Sequence, residues 1–289
     1  MNHTLVLTAA LGSLHDKAVT VASKALNAAP HWLSPGTACE FAVADPTVVT
    51  TVRTELANEA VDVNIVPTAH RRKRLLIADM DSTIIGCECI DEIADFAGVK
   101  PQIAAITEKA MRGEIAFESA LRERVALLKG LPEATLQQVF DQRVQLNPGA
   151  KILVRTMRAA GAMTALISGG FTFFTERVAD AAGFATNQAN ELHVTGGKLA
   201  GTVREPILGR QAKLDALTRL ARERNIALQD TLAIGDGAND LAMIEASGLG
   251  IAYRAKPVVA AAAHARLDHS DLSAALYLQG YRETELVLD

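Results

Sequence analysis

Cysteine is scarce in this 289-residue chain, which holds only Cys39, Cys87 and Cys89. An odd and small count excludes a disulfide framework and suits a reducing compartment. Cys87 and Cys89 alternate with Glu88, yet no second Cys or His pair accompanies them, so they read as free thiols rather than a metal clip. The seven histidines are scattered and none forms an H-x-x-x-H pair. No segment approaches the roughly 20 consecutive apolar residues that a membrane span requires. The opening residues Met1-Asn2-His3-Thr4-Leu5-Val6-Leu7 lack the positive leader and long apolar stretch of a secretory signal, so a cytoplasmic protein without membrane association is expected. Charge of one sign is not in excess either, the formal net charge being −4. The one basic run, His70-Arg71-Arg72-Lys73-Arg74, contains no aromatic that would stack on a base. It is expected to be a solvated linker and a domain boundary, and no nucleic-acid partner is expected.

What is present is apolar material, 49% of the residues, ample for a buried core in two domains. In residues 1–70 a strand-like segment at Thr4 to Ala9 precedes helical spacing from Ser13 to Asn27. His31-Trp32-Leu33 and Cys39 to Ala44 follow as strands. A helix is expected after Asp45 as N-cap, with Pro46 at its first position. Val61 to Val66 then alternates as a strand with one wet face. This βαββαβ order is that of a small ferredoxin-like α+β domain. In topology and size it resembles the ACT-type modules that often bind amino acids.

From Arg74 the character changes. Leu75-Leu76-Ile77-Ala78 is a continuous apolar run, as in a parallel strand covered on both faces, and similar runs recur at Met163 to Ile167, Thr231 to Ile234 and Leu249 to Ala252. Helical stretches such as Gly149 to Ala160 and Arg210 to Arg224 separate them, which predicts an α/β doubly wound parallel sheet over residues 71–289. The stretch between Ala78 and Met163 is too long for a plain crossover loop. Its periodicity is helical over Ile90–Ala97, Pro101–Met111, Phe117–Lys129 and Pro132–Val144, punctuated by Gly98, Gly113 and Gly130, so a helical cap is expected at about 86–145. Asn190 to Val203 reads as a β-hairpin turning at Gly196-Gly197.

Three short segments at the carboxyl ends of these strands carry the chemistry: Asp79-Met80-Asp81-Ser82-Thr83, Ser168-Gly169-Gly170 and Gly235-Asp236-Gly237-Ala238-Asn239-Asp240. Ligands bind at that edge of an open α/β sheet. Asp79 ends a buried strand, where a lone carboxylate needs a cation or donors. Asp81 lies two residues on, so extended backbone would aim both side chains one way. One carboxylate can attack a phosphorus while the other handles the leaving-group proton. A calcium loop is excluded, because Ile84 stands where its glycine belongs and Ile90 where its closing glutamate belongs. Ser168 with two glycines makes a phosphate cradle of a hydroxyl and accessible backbone N–H groups. Asp236 can join Asp79 around a hard cation, with magnesium favoured by an all-oxygen ligand set. Lys213, by its own pattern, is indistinguishable from a solvated helix lysine.

Together these segments closely resemble the haloacid-dehalogenase superfamily of phosphatases, marked by D-x-D-x-T, Ser/Thr, Lys and G-D-x-x-x-D. Glu88, Ile90-Asp91-Glu92-Ile93-Ala94, Leu121-Arg122-Glu123-Arg124-Val125 and Ile167-Ser168-Gly169-Gly170-Phe171 narrow the resemblance to its phosphoserine phosphatase family, over about residues 74–270. The resemblance implies that Asp79 is the nucleophile that becomes an aspartyl phosphate and Asp81 the general acid and base. It implies Mg2+ held by Asp79, the Asp81 carbonyl and Asp236, with Asp240 orienting the metal shell. Ser168, Gly169, Lys213 and Asn239 would bind the phosphoryl group. In the cap, Glu88 would meet a substrate ammonium and Arg124 its carboxylate, while Met111 and Phe117 would line the pocket. The implied reaction is hydrolysis of O-phosphoserine, the last step of serine biosynthesis. The alternative is phosphatase or phosphotransfer chemistry on another small phosphomonoester such as phosphohomoserine. A homodimer is expected from family habit.

Overall fold

The computed structural model describes residues 2–112 and 114–288, and of Met111 the backbone alone. Gly113 and the Met111 side chain, both singled out above, lie outside the described residues.

Residues 3–67 form β1 (His3–Thr8), α1 (Asp16–Leu26), β2 (His31–Ser34), β3 (Ala38–Val43), α2 (Val48–Glu55) and β4 (Asp62–Pro67). The strands make an antiparallel sheet in the order β2-β3-β1-β4. Alternation puts Leu5, Leu7, Phe41 and Val63 under the two helices, where Val19, Ala22 and Val52 meet them. The second helix begins later than expected. Asp45 spends its carboxylate on the N–H and hydroxyl of Thr47, closing a turn that holds Pro46, and α2 starts at Val48.

The face of β4 expected to be wet is buried, with Asp62 at 4% and Asn64 at 0% exposure. Its polar groups dock on the rest of the chain instead of on water. Asp62 accepts the backbone N–H groups of Asp268, His269 and Ser270. The Asn64 amide donates to the Arg266 carbonyl and accepts the Arg266 N–H, both at 2.8 Å. The basic run is solvated only in part: His70, Arg72 and Arg74 are exposed, whereas Arg71 and Lys73 turn inward. Arg71 pairs with Glu40 and donates to the Leu278 carbonyl, and buried Lys73 donates to the carbonyls of His70 and Gln229. A string of positive charges says nothing of such partners, because they lie far away in sequence.

The remainder runs β5 (Leu75–Ala78), α3 (Cys89–Phe96), α4 (Lys100–Met111), α5 (Phe117–Ala126), α6 (Ala134–Arg143), α7 (Ala150–Ala159), β6 (Met163–Phe171), α8 (Thr172–Ala182), β7 (Thr186–Asn190), β8 (Leu192–Thr195), β9 (Lys198–Val203), α9 (Arg210–Glu223), β10 (Thr231–Gly235), α10 (Leu241–Ala246), β11 (Leu249–Tyr253), α11 (Pro257–Ala262), β12 (Ala265–Leu267) and α12 (Ala274–Leu278). Six strands form a parallel sheet in the order β12-β11-β10-β5-β6-β7. Leu76, Leu166, Leu232 and Ile234 face α7, α8 and α12, whereas Leu75, Ile77, Ala165 and Ala233 face α9, α10 and α11. Both faces are thus dry, which is why the strands read as unbroken apolar runs. The chain winds outward from β5 to β7, then returns to β10 on the other side of β5. That reversal opens a crevice beyond the carboxyl ends of β5 and β10. Helices α3 to α6 lie between β5 and α7 in the chain, as the helical periodicity predicts. The hairpin is β8-β9 alone, turning at Gly196 and Gly197, both at positive φ. Asn190, assigned to it from sequence, instead ends β7.

Candidate active site

At the crevice a cavity of about 850 Å³ is lined by Asp79, Asp81, Glu88, Phe117, Arg124, Ser168, Gly169, Asp236 and Asn239, nine of the residues singled out from sequence. Lys213 lies beneath it.

The β5 ladder carries on into Asp79, whose N–H donates to the Ile234 carbonyl at 3.0 Å. The chain then leaves the sheet through a wide turn in which Asp81 is extended and Ser82 is left-handed at φ 56°. Asp79 Oδ1 accepts the Met80 N–H at 2.8 Å and the Lys213 ammonium at 2.7 Å. Asp81 Oδ1 accepts the Cys89 N–H at 2.9 Å, and its Oδ2 lies 3.3 Å from the Ser168 hydroxyl. Thr83 ties the first segment to the third by donating to Asp236 Oδ1 at 2.8 Å. The Gly170 N–H donates to Ser168 Oγ at 2.8 Å, and a Cβ on Gly170 would stand 2.8 Å from Asp81 Oδ2, so any side chain there would displace the Asp81 carboxylate.

Lys213 is the residue whose sequence pattern was least informative. It projects from the first turn of α9 and bonds both Asp79 and Asp240. Those two carboxylates hold its ammonium charged despite burial. Asp240, with Oδ1 on Lys213 and Oδ2 on the Gly237 N–H, braces the lysine and the third loop together.

In the cap, Glu88 Oε1 accepts the Ser82 hydroxyl at 2.6 Å. Glu88 is open to the cavity yet walled in by protein, and this partial burial, with Asp81 close by, pushes its carboxyl up to about 7. Arg124 donates from Nε to the Ala120 carbonyl at 3.2 Å, and burial lowers its affinity for a proton against the pull of Asp91 and Glu88. Phe117 comes down from α5 onto the Ser168–Gly170 segment. A Cβ on Gly169 would lie 3.1 Å from its ring. Asp91, quoted above within a motif but given no role, also lines the cavity, as does Thr107, which was not anticipated because a hydroxyl on a cap helix carries no signal of its own.

Carboxylate oxygens of Asp79, Asp236 and Asp240 lie within 4.8 Å of one another. Burial raises the carboxyls of Asp79 and Asp236 above their ordinary range, and Asp240 adds repulsion to both. Lys213 alone offsets that crowding only in part. A hard divalent cation fits such a set of oxygen donors. Asp79 and Asp236 each keep Oδ2 clear of any hydrogen bond among the described residues, whereas both oxygens of Asp240 are engaged.

Comparison with known proteins agrees with this geometry. The sequence model of the haloacid dehalogenase-like hydrolases matches residues 76–245. A phosphoserine phosphatase of Archaeoglobus fulgidus is 44% identical over 214 residues, 72% of this chain and 62% of that protein. One from Streptomyces coelicolor is 43% identical over 258 residues, 87% of this chain and 62% of that protein. The chain therefore matches less than two thirds of the length of either. Among solved structures, a HAD family hydrolase of Salmonella enterica serovar Typhi superposes with a TM-score of 0.84 at 31% identity, covering 95% of this chain and 98% of its own.

Proposed function

Because the chain belongs to the haloacid dehalogenase-like hydrolases, we propose that it is a magnesium-dependent phosphatase that converts O-phosphoserine to serine and phosphate through an aspartyl phosphate. The observation that carries this reading is the lining of one cavity: Asp79, Asp81 and Ser168 at its floor, with the Glu88 carboxyl and the Arg124 guanidinium on its cap side. A phosphomonoester that also bears an ammonium and a carboxylate matches all three regions. The phosphoserine phosphatases of Archaeoglobus fulgidus and Streptomyces coelicolor support the same assignment.

In this reading Asp79 attacks phosphorus and the bond from phosphorus to the serine oxygen breaks. Asp81, whose carboxyl burial holds above its ordinary range, gives its proton to that oxygen. Asp81 then takes a proton from water, the water oxygen bonds to phosphorus, and the Asp79–phosphorus bond breaks to release phosphate. Lys213, Ser168, Gly169 and Asn239 hold the phosphoryl oxygens, and Lys213 keeps Asp79 in register for attack. Asp79, the Asp81 carbonyl and Asp236 would hold magnesium, which supplies positive charge against the phosphoryl dianion. Glu88 and Arg124 select the amino-acid end, Arg124 through its planar fork. Phe117 excludes water, a role that the family resemblance extends to Met111.

The same reading divides the chain into a ferredoxin-like domain at 1–70 and a phosphatase core at 71–289 with a cap at about 86–145, and places the reaction in cytoplasmic serine biosynthesis. A phosphate-release screen of small phosphomonoesters, run with and without magnesium, tests it. Metal-dependent release, fastest from O-phosphoserine, is the expected outcome. Preference for an ester lacking the ammonium or the carboxylate would overturn the substrate, and metal-independent release would overturn the cofactor.

A further inference from the structure

The ladder between β6 and β7 breaks at the phosphate cradle. Ile167 is opposite Gln188 and the next pair is Phe171 with Asn190, so Ser168, Gly169 and Gly170 bulge out against a single residue of β7. A bulge leaves ladder groups without their usual partners. The Asn190 side chain, 2% exposed, fills this gap. Its Nδ2 donates to the Gly169 carbonyl at 2.9 Å and to the Leu208 carbonyl at 3.3 Å, while its Oδ1 accepts the Leu208 N–H at 2.8 Å. The amide can be oriented only this way, since the flipped form would aim its oxygen at two carbonyls. Leu208 is two residues ahead of Arg210, where α9 begins and carries Lys213 in its first turn. One planar amide therefore spans the bulge and the entry to the helix that supplies the phosphate-binding lysine.

We propose that Asn190 is a positioning residue that sets the distance between the Ser168–Gly170 cradle and Lys213, so that both converge on one phosphoryl group. It does not line the cavity and touches no reacting atom. Its rigid amide transmits the geometry of one loop to the other. This role rests on the phosphatase reading above. It also concerns the phosphate end alone, because Glu88 and Arg124 reach the cavity from the cap.

The test uses the full chain with magnesium, comparing the wild type with Asn190→Ala and with Asn190→Ser. Turnover of O-phosphoserine is measured with inhibition by inorganic phosphate, inhibition by serine and thermal unfolding. Expected for both variants is a fall in kcat of at least about tenfold and a similar loss of phosphate inhibition, with serine inhibition within about threefold of wild type. A merely structural residue would lower the melting temperature without separating the phosphate and serine effects. Wild-type kcat and phosphate inhibition in a folded Asn190→Ser, or equal losses for phosphate and serine, would overturn the inference while the phosphatase reading stands. A wild type that hydrolyses no phosphomonoester would overturn both. Should Asn190→Ala fail to fold, the serine variant, which keeps a hydroxyl donor in the gap, still decides.

Discussion

Lys213 Nζ lies 2.7 Å from Asp79 Oδ1 and also bonds Asp240 Oδ1, with no more than 8% of any of the three side chains exposed. Two buried carboxylates thus depend on one buried cation, and removing that cation leaves both without their compensating charge. Lys213→Met, which keeps the volume and drops the charge, is expected to cost about 3–5 kcal/mol of stability in metal-free protein. Denaturant unfolding in a chelator measures it. A loss below about 1 kcal/mol would mean that the lysine does not compensate these carboxylates.

Asp79→Asn makes the opposite change in the same cluster. An amide there still accepts from Lys213, and one negative charge leaves a group in which burial and Asp240 already disfavour ionised Asp79. The variant is expected to fold at least as stably as wild type in chelator, and to form no phosphoenzyme in a mass spectrum of protein quenched during turnover. A phosphoryl adduct on the Asp79→Asn protein would move the nucleophile elsewhere.

Glu88 supplies a pH dependence with a definite sign. Partial burial and Asp81 raise its carboxyl from about 4.5 to about 7, so the folded protein binds this proton more tightly than the unfolded chain does. The stabilisation is complete below about pH 4.5 and is lost as pH rises through about 7. In ligand-free protein, the melting temperature of wild type relative to Glu88→Gln should therefore fall between about pH 5 and about pH 8. Parallel curves would place Glu88 in ordinary solvent. An ammonium bound beside Glu88 would pull its proton off, so substrate binding should release protons near neutral pH, measurable by calorimetry in buffers of different ionisation heat.

Legibility from sequence followed the physics of burial. Strands β5, β6, β10 and β11 were readable because both their faces are dry, and their carboxyl ends gave the three chemical segments directly. Thr186-Asn187-Gln188-Ala189-Asn190 was not, because β7 is an edge strand with little apolar demand, and three-residue β12 is too short for any period to register. Asp62 and Asn64 look like solvent-facing residues of a half-wet strand. They are buried because the groups that satisfy them lie near residue 268, and no local pattern encodes a partner at that distance. Lys213 belongs to the same class. Its surroundings in sequence are those of a surface helix, and only the fold places it between Asp79 and Asp240.

Arg124 sits on the cap side of the cavity with Nε on the Ala120 carbonyl and Nη1 3.5 Å from the Thr107 hydroxyl, a weak hold that leaves donors of the fork for a ligand. If those donors bind the substrate carboxylate, their loss matters only for substrates that carry one. Arg124→Ala should lower kcat/KM for O-phosphoserine by about 100-fold, the equivalent of about 3 kcal/mol, and leave a simple aryl phosphate within about threefold of wild type. Arg124→Lys separates charge from shape. A point charge without the planar fork should recover only part of the loss, because bidentate geometry as well as attraction holds a carboxylate. Equal losses on both substrates would assign Arg124 to cap packing instead, and full recovery by lysine would reduce its role to charge alone.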